Sequence, residues 1–182
     1  MLKKVKKESL SIKNPLIMGI LNITPDSFYD GGKFSNLKNA IDQAKKMINE
    51  GVDIIDLGAF TSKPFSEEIS ISEEKKRLFP VIKEMKKLFP KIIMSIDTYR
   101  REIAEESINL GASIINDIYA GKHDSSMIDF IARNNIPYVA MHMNGTPIDM
   151  QKNINYENLE KQLIDFFLKI SCKLKKLGHQ KL

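Results

Sequence analysis

The sequence predicts an α/β fold with a parallel sheet, arranged as a partial (β/α)8 TIM-type barrel of about five strand-helix units. Short apolar runs alternate strictly with helical stretches five times along the chain, and polar residues follow the strands at their carboxyl ends. An open doubly wound sheet would also accept this alternation, but no GxGxxG turn follows the first strand. We therefore favour the barrel, although five units are too few to close one.

Five short aliphatic runs form the predicted strands, at residues 16–21, 52–58, 91–98, 112–118 and 137–142. Apolar residues spaced three and four apart predict helices that begin near Leu37, Ser72, Arg100, Asp124 and Tyr156. Pro80 predicts a kink in the second helix, because proline lacks the backbone N–H donor. Strict alternation of the two element types requires parallel strands with right-handed crossovers.

One domain accounts for the whole chain of 182 residues, of which 42% are hydrophobic and 28% are charged. We predict a single barrel domain over residues 1–182, truncated at its C-terminal end. Residues 1–13 are expected to form a basic N-terminal tail or a short leading strand.

The net charge of +5 is concentrated near the two ends, since residues 1–13 carry +4 and residues 161–182 carry +5. The remaining body is acidic, and lysines outnumber arginines 24 to 4, a pattern that argues against a nucleic-acid partner. A single cysteine, no secretory signal and no apolar run of about 18 residues predict a cytoplasmic protein with no membrane association.

Polar side chains are expected to gather where the strands end. Asparagine or aspartate there is ordinarily a turn former, but an equivalent position in five successive units indicates a site. The set offers carboxylates and amides without a nucleophile paired to a base, so it suits a flat, polar heterocycle. Its members are Asn22, Asp56, Asp97, Asn116 and His142.

The first long loop, residues 24–32, pairs acidic residues with two glycines. It is open to two interpretations, a solvated turn or a mobile lid that carries an aspartate and an aromatic side chain over the site. A metal centre built from histidine and cysteine is not expected, because His123 and His179 lie apart from His142 in the sequence.

Five motifs in order resemble those of the dihydropteroate synthase family: MGILNITPDSFYDGG (18–32), DLGAFTSKP (56–64), SIDTYR (95–100), INDIYAG (115–121) and MHMNGTP (141–147). The resemblance implies a transferase of folate biosynthesis. Such an enzyme condenses 6-hydroxymethyl-7,8-dihydropterin diphosphate with p-aminobenzoate, giving 7,8-dihydropteroate and diphosphate. The implied chemistry is dissociative, so diphosphate leaves before the aniline nitrogen attacks a pterin methylene cation.

The resemblance also implies roles for individual positions, a Mg²⁺ cofactor and a homodimeric assembly. It implies that Asn22 helps to hold Mg²⁺ on the diphosphate. It also implies that the buried pterin pocket is lined by Asp97, Asn116 and Met141. It places the catalytic residues Asp26, Phe28 and Asp30 in the first loop, and Ser62, Lys63 and Pro64 in the loop that grips p-aminobenzoate.

Three departures from the family pattern stand out, at Lys63, at Phe65, which replaces a glycine, and at the C-terminal end. The second loop reads Thr61-Ser62-Lys63-Pro64-Phe65 where the family has Ser-Thr-Arg-Pro-Gly, so Lys63 keeps the charge but loses the planar fork of arginine. Beyond the position of Gly178 the family continues with a sixth strand and further pterin-binding and anion-binding residues. We therefore expect residues 1–182 alone to be inactive and poorly soluble. A non-catalytic pterin-binding remnant and a related methyltransferase barrel are the alternatives.

Overall fold

The computed structural model describes residues 15–23, 33–59, 68–146, 150 and 156–179. Strands and helices alternate through these ranges, and all five strands form one parallel sheet in the order β1-β2-β3-β4-β5. The elements are β1 (Met18–Asn22), α1 (Lys33–Asn49), β2 (Ile54–Gly58), α2 (Ile71–Leu88), β3 (Ile93–Asp97), α3 (Arg101–Leu110), β4 (Ile114–Asp117), α4 (Met127–Asn134), β5 (Tyr138–Ala140) and α5 (Leu159–Lys176). The predicted parallel fold of strand-helix units is confirmed.

The helix boundaries depart from the prediction where side chains cap the backbone. Helix α4 begins at Met127. The side chain of Asp124 accepts a hydrogen bond of 3.0 Å from the backbone N–H of Ser126 and so holds a turn before the helix. Helix α5 begins after Asn158, whose side chain accepts from the backbone N–H of Lys161 at 2.9 Å. Helix α2 runs on through Pro80.

The pairing register divides the strand side chains between two faces of the sheet. Asp56 is the register partner of Ile20 and of Ser95, and Asp97 is the partner of Gly58 and of Asn116. Because side chains alternate along a strand, these residues share one face, which we call the open face. The opposite, helix-covered face packs against the helices in the main apolar core, through Leu21, Ile55, Leu57, Met94, Ile96 and Ile115.

A buried charged network ties α2 to the segment after β3. Glu74 is fully buried, accepts a hydrogen bond from Thr98 Oγ1 at 2.8 Å and pairs with the guanidinium of Arg100. Arg100 also donates from Nη2 to the carbonyl oxygen of Ile69 at 2.7 Å. The network fixes the carboxyl end of β3 against the start of α2, since a buried charge must stay paired.

The C-terminal end of the described chain is also anchored. The ring of His179 is buried and its Nε2 lies 2.8 Å from the carbonyl oxygen of Ile136. No helix in the described ranges is both long enough and apolar enough to cross a bilayer. Residues 1–13 lie outside the described residues, so the predicted tail and the single-domain boundary stay predictions.

Candidate ligand site on the open face of the sheet

Four of the five polar residues predicted to meet at the strand ends occupy the open face. Asn22 closes β1, Asp97 closes β3, Asn116 is in β4 and Asp56 lies in the middle of β2. Asp56 is buried, with 5% of its surface exposed, while Asn22 is exposed and Asp97 and Asn116 are half-buried. The polar group therefore grades from an enclosed floor at Asp56 to an accessible rim at Asn22.

A hydrogen bond crosses the central strand of this group. Asn116 Nδ2 donates to Asp56 Oδ2 at 3.1 Å, although β3 separates their strands. Strands two places apart in a flat sheet lie about 9.5 Å from each other, so the bond requires the open face to be concave. Ser95, the β3 register partner of Asp56, is fully buried on the same face of the sheet.

Buried acceptors without partners concentrate at the same place. Across the described residues, four buried side-chain oxygen atoms have no hydrogen-bond partner, and three of them are Asp56 Oδ1, Ser95 Oγ and Asp97 Oδ1. Enclosing such atoms costs free energy unless something supplies the missing bond. An ionised carboxylate oxygen accepts only, so a ligand that satisfies Asp97 must bring an N–H or O–H donor.

The electrostatics of the floor follow from burial without a local cation. Burial, and after it the neighbouring carboxylates Asp56, Glu74 and Asp117, together raise the pKa of Asp97 from 3.8 to about 7. Of these neighbours, Glu74 is itself paired with the guanidinium of Arg100. A ligand with hydrogen-bond donors relieves the cost of the charged form of Asp97.

A glycine makes the upper part of the site possible. A Cβ atom on Gly58 would lie 3.2 Å from Asn22 Oδ1 and 3.3 Å from Asp97 Oδ2, tighter than most real contacts. The missing side chain lets these two oxygens approach each other across β2.

The described residues contain no group of three or more histidine, cysteine, aspartate or glutamate side chains that could hold a metal ion. The amide oxygen of Asn22 is a hard ligand of the kind Mg²⁺ prefers. Mg²⁺ commonly takes one or two protein ligands and fills its other positions with water and substrate phosphate, so Asn22 fits as a contributor to such a site.

Asp117, one residue after Asn116, has a different environment. Its carboxylate accepts three hydrogen bonds, each of 2.8 Å. The donors are the backbone N–H of Tyr119, the backbone N–H of Gly121 and the hydroxyl of Tyr138. All of these donors belong to the protein. Asp117 therefore holds the turn after β4 rather than a ligand.

The fifth predicted member of the set, His142, does not join the polar group. Its ring packs edge-on against Phe166 of α5, with centroids 4.9 Å apart, and lies 6.2 Å from the ring of Tyr156. Met141 follows β5 with 38% of its surface exposed, two residues beyond Val139, the register partner of Asn116. Met141 is thus at the correct end of the sheet for a pocket wall.

The remaining predicted site residues, in the two loops, lie outside the described residues: Asp26, Phe28, Asp30, Ser62, Lys63 and Pro64. Sequence reasoning missed Ser95 entirely. It stands two residues before Asp97 on the same strand, so strand alternation alone could have placed it on the site face.

Comparison with known proteins agrees with this geometry. The chain is 46% identical over 138 residues to the dihydropteroate synthase of Bacillus subtilis, a match that covers 75% of this chain and 48% of the relative. It superposes on a dihydropteroate synthase from Yersinia pestis, solved with a sulfonamide drug, with a TM-score of 0.86 and 34% identity, covering 97% of this chain and 63% of that one.

A third relative, a dihydropteroate synthase from Clostridium difficile crystallised in the presence of pteroic acid, superposes with a TM-score of 0.83 and 38% identity. That match covers 93% of this chain and 62% of the solved one. This chain therefore spans about half the length of the Bacillus subtilis relative and about three fifths of these two solved chains.

The sheet order defines a parallel β/α barrel-type protein, with a candidate ligand site at the carboxyl ends of its strands. The model of the pterin binding enzyme family matches residues 18–181. The chain belongs to that family.

Proposed function

We propose that the protein carrying this chain is a dihydropteroate synthase, a transferase of folate biosynthesis. It joins 6-hydroxymethyl-7,8-dihydropterin diphosphate to p-aminobenzoate and releases 7,8-dihydropteroate and diphosphate. Support comes from family membership and from dihydropteroate synthases that are 34% to 46% identical to this chain. The relative from Clostridium difficile was crystallised with pteroic acid, which contains both halves of such a product.

The unpartnered carboxylate oxygen of Asp97 on the concave open face, beside the hydrogen-bonded pair of Asp56 and Asn116, carries the proposal. A pterin ring has N–H donors along the edge of its pyrimidine half, and these are the groups that the floor lacks. In this assignment Asp97 and Asn116 bind the heterocycle and Met141 covers one side of it. Asn22 stands toward the rim, where the diphosphate would leave.

The reaction then needs little covalent participation from the protein. The bond between the pterin methylene carbon and the diphosphate oxygen breaks, and its electron pair leaves with the diphosphate. The nitrogen lone pair of p-aminobenzoate forms the new C–N bond, and that nitrogen loses one proton to solvent. The negative charge of Asp97 stabilises the cationic pterin between these two events, which is electrostatic catalysis by a preorganised group.

Mg²⁺ is part of the proposal, with Asn22 as its protein ligand. A bound Mg²⁺ would supply charge neutralisation on the leaving diphosphate. The first loop would contribute Asp26, Phe28 and Asp30, and the second loop Ser62, Lys63 and Pro64 at the p-aminobenzoate end.

We further propose a cytoplasmic location, two small-molecule substrates as the principal partners, no nucleic acid partner and self-association into a homodimer. The lone cysteine, Cys172, is exposed and unpaired, as expected in a reducing compartment.

The test is dihydropteroate formation from the two substrates and Mg²⁺, followed by chromatography, in the complete natural protein that contains this chain. The wild-type protein should turn over and Asp97→Asn should lose most activity. The matched control is Asp53→Asn, the same chemical change at the other end of β2, where Asp53 bonds the backbone N–H of Ile17 at 2.8 Å. Pterin binding without turnover in the wild-type protein would instead favour a non-catalytic pterin-binding protein.

A further inference from the structure

The bond between Asn116 and Asp56 determines which way the amide of Asn116 faces. A carboxylate can only accept, and of the two ends of a carboxamide only the nitrogen can donate. The 3.1 Å bond must therefore join Nδ2 of Asn116 to Asp56, and Oδ1 of Asn116 points away from Asp56. Chemistry thus settles an orientation that atomic positions alone leave open.

Asp56 is well placed to impose this orientation. It lies in the middle of β2, paired on both sides by β1 and β3, and only 5% of its surface is exposed. Reversal of the Asn116 amide would bring two acceptors together in an enclosed place and leave the Nδ2 protons without that carboxylate. The reversed orientation is therefore disfavoured as long as Asp56 is present.

The consequence for a ligand is specific. Oδ1 of Asn116 and the unpartnered Oδ1 of Asp97 belong to register partners on adjacent strands, on the same face. When Asp97 is ionised, both are acceptors, so the floor then offers two adjacent acceptors rather than one donor and one acceptor. A heterocycle edge with neighbouring N–H donors matches that pattern, whereas an edge with a carbonyl oxygen at either place does not.

We propose that Asp56 is a positioning residue that acts through Asn116: it locks the Asn116 amide so that Oδ1 accepts a hydrogen bond from an N–H donor of the bound heterocycle. The identity of that heterocycle as a pterin rests on the proposed function. Asp56 itself makes no direct contact with the ligand in this scheme. Its effect is on affinity and on the choice of ligand edge.

The experiment exchanges the carboxylate at position 56 and the carboxamide at position 116 in the complete natural protein. Binding is measured with 6-hydroxymethylpterin as a fluorescent probe. Asp56→Asn should weaken its binding about tenfold, because a carboxamide at position 56 tolerates either orientation of Asn116. Asn116→Asp should weaken binding at least as much, since it sets two carboxylates against each other. The double variant should return to within about threefold of wild type, because the carboxamide at position 56 then donates to the carboxylate at position 116.

The control variant, Asp53→Asn, should bind the probe as the wild-type protein does. A second measurement is independent of the double variant: NMR-detected exchange of the Asn116 Nδ2 protons with solvent should be slower in the wild-type protein than in Asp56→Asn. Unchanged exchange, or unchanged probe affinity in Asp56→Asn, would overturn the positioning role.

The remaining outcomes separate the two proposals. Weak binding in Asp56→Asn with no recovery in a folded double variant would show that Asp56 touches the ligand directly, which contradicts the scheme. If the double variant does not fold, the exchange measurement decides. A folded wild-type protein that does not bind 6-hydroxymethylpterin would overturn the proposed function, and this inference with it.

Discussion

The two faces of the sheet hold buried carboxylates in opposite ways. Asp117 has protein donors for both of its oxygens, whereas Asp97 keeps one buried oxygen without any partner. Burial raises the pKa of both carboxyl groups, yet for Asp117 the bonds from Tyr138, Tyr119 and Gly121 oppose that rise. A satisfied carboxylate stabilises the fold, whereas an unsatisfied one is a candidate binding group.

The apolar residues of the two faces differ in the same way. Ile20 is 66% exposed on the open face, and the next residue, Leu21, is 3% exposed in the core beneath the helices. One step along a strand thus exchanges a solvent-facing position for a core position. The helix-covered face determines stability, and the open face is free to serve ligand binding.

The largest expected effect is on binding at the open face. Asp97→Ala in the complete natural protein should remove a buried charged partner of the pterin, costing roughly 3–5 kcal/mol, or about two to three and a half powers of ten in affinity. Its free energy of unfolding should stay equal or rise, because an unpartnered buried carboxylate disappears. Calorimetric titration with 6-hydroxymethylpterin and urea unfolding measure the two quantities, and unchanged affinity would remove Asp97 from the site.

The next largest effect is the contribution of Asp97 to the pH dependence of the free energy of unfolding. Asp97 has a folded-state pKa of about 7 against an ordinary value of 3.8, so the folded protein binds the extra proton between these values. Stability should therefore fall as pH rises from about 4 to 7, by at most about 4 kcal/mol, and then level off. In Asp97→Asn this component should vanish. If the free energy of unfolding varies with pH in the same way in the wild-type protein and in Asp97→Asn across that range, the raised pKa of Asp97 is contradicted.

A third effect belongs to the helix-covered side. Asp117→Asn should destabilise the fold by about 1–3 kcal/mol, because an NH₂ group must then face a backbone or hydroxyl donor. The bonds at risk come from Tyr119, Gly121 and Tyr138. Pterin affinity of the folded variant should stay close to that of the wild-type protein. A loss of affinity without a loss of stability would place Asp117 in the ligand site instead.

The smallest effect is expected from Lys63, which lies outside the described residues. Lys63→Arg supplies a planar fork in place of a point charge, so the Michaelis constant for p-aminobenzoate or for the pterin diphosphate should fall by a few-fold. Steady-state kinetics with both substrates measure this. Identical constants for the two proteins would make Lys63 an ordinary solvated residue.

Much of the fold followed from local patterns. The five units, their order and most boundaries were predictable because helical and strand periodicities are written in neighbouring residues. Residues such as Asp97 and Asn116 could be assigned to one end of the sheet for the same reason. His142 was placed wrongly with them, because its contacts with Phe166 and Tyr156 come from α5 and its preceding segment.

The sequence by itself determined the alternation of strands and helices, the polar residues at the strand ends and the resemblance to a pterin-binding enzyme. The tertiary structure alone decided that Asp56 meets Asn116 across β3, that one oxygen of Asp97 lacks a partner while Asp117 has three donors, and that His179 is buried against Ile136. The physical reason is distance. Periodicity reports on neighbours in the chain, whereas these contacts depend on sheet curvature and on helices that pack from far along the sequence.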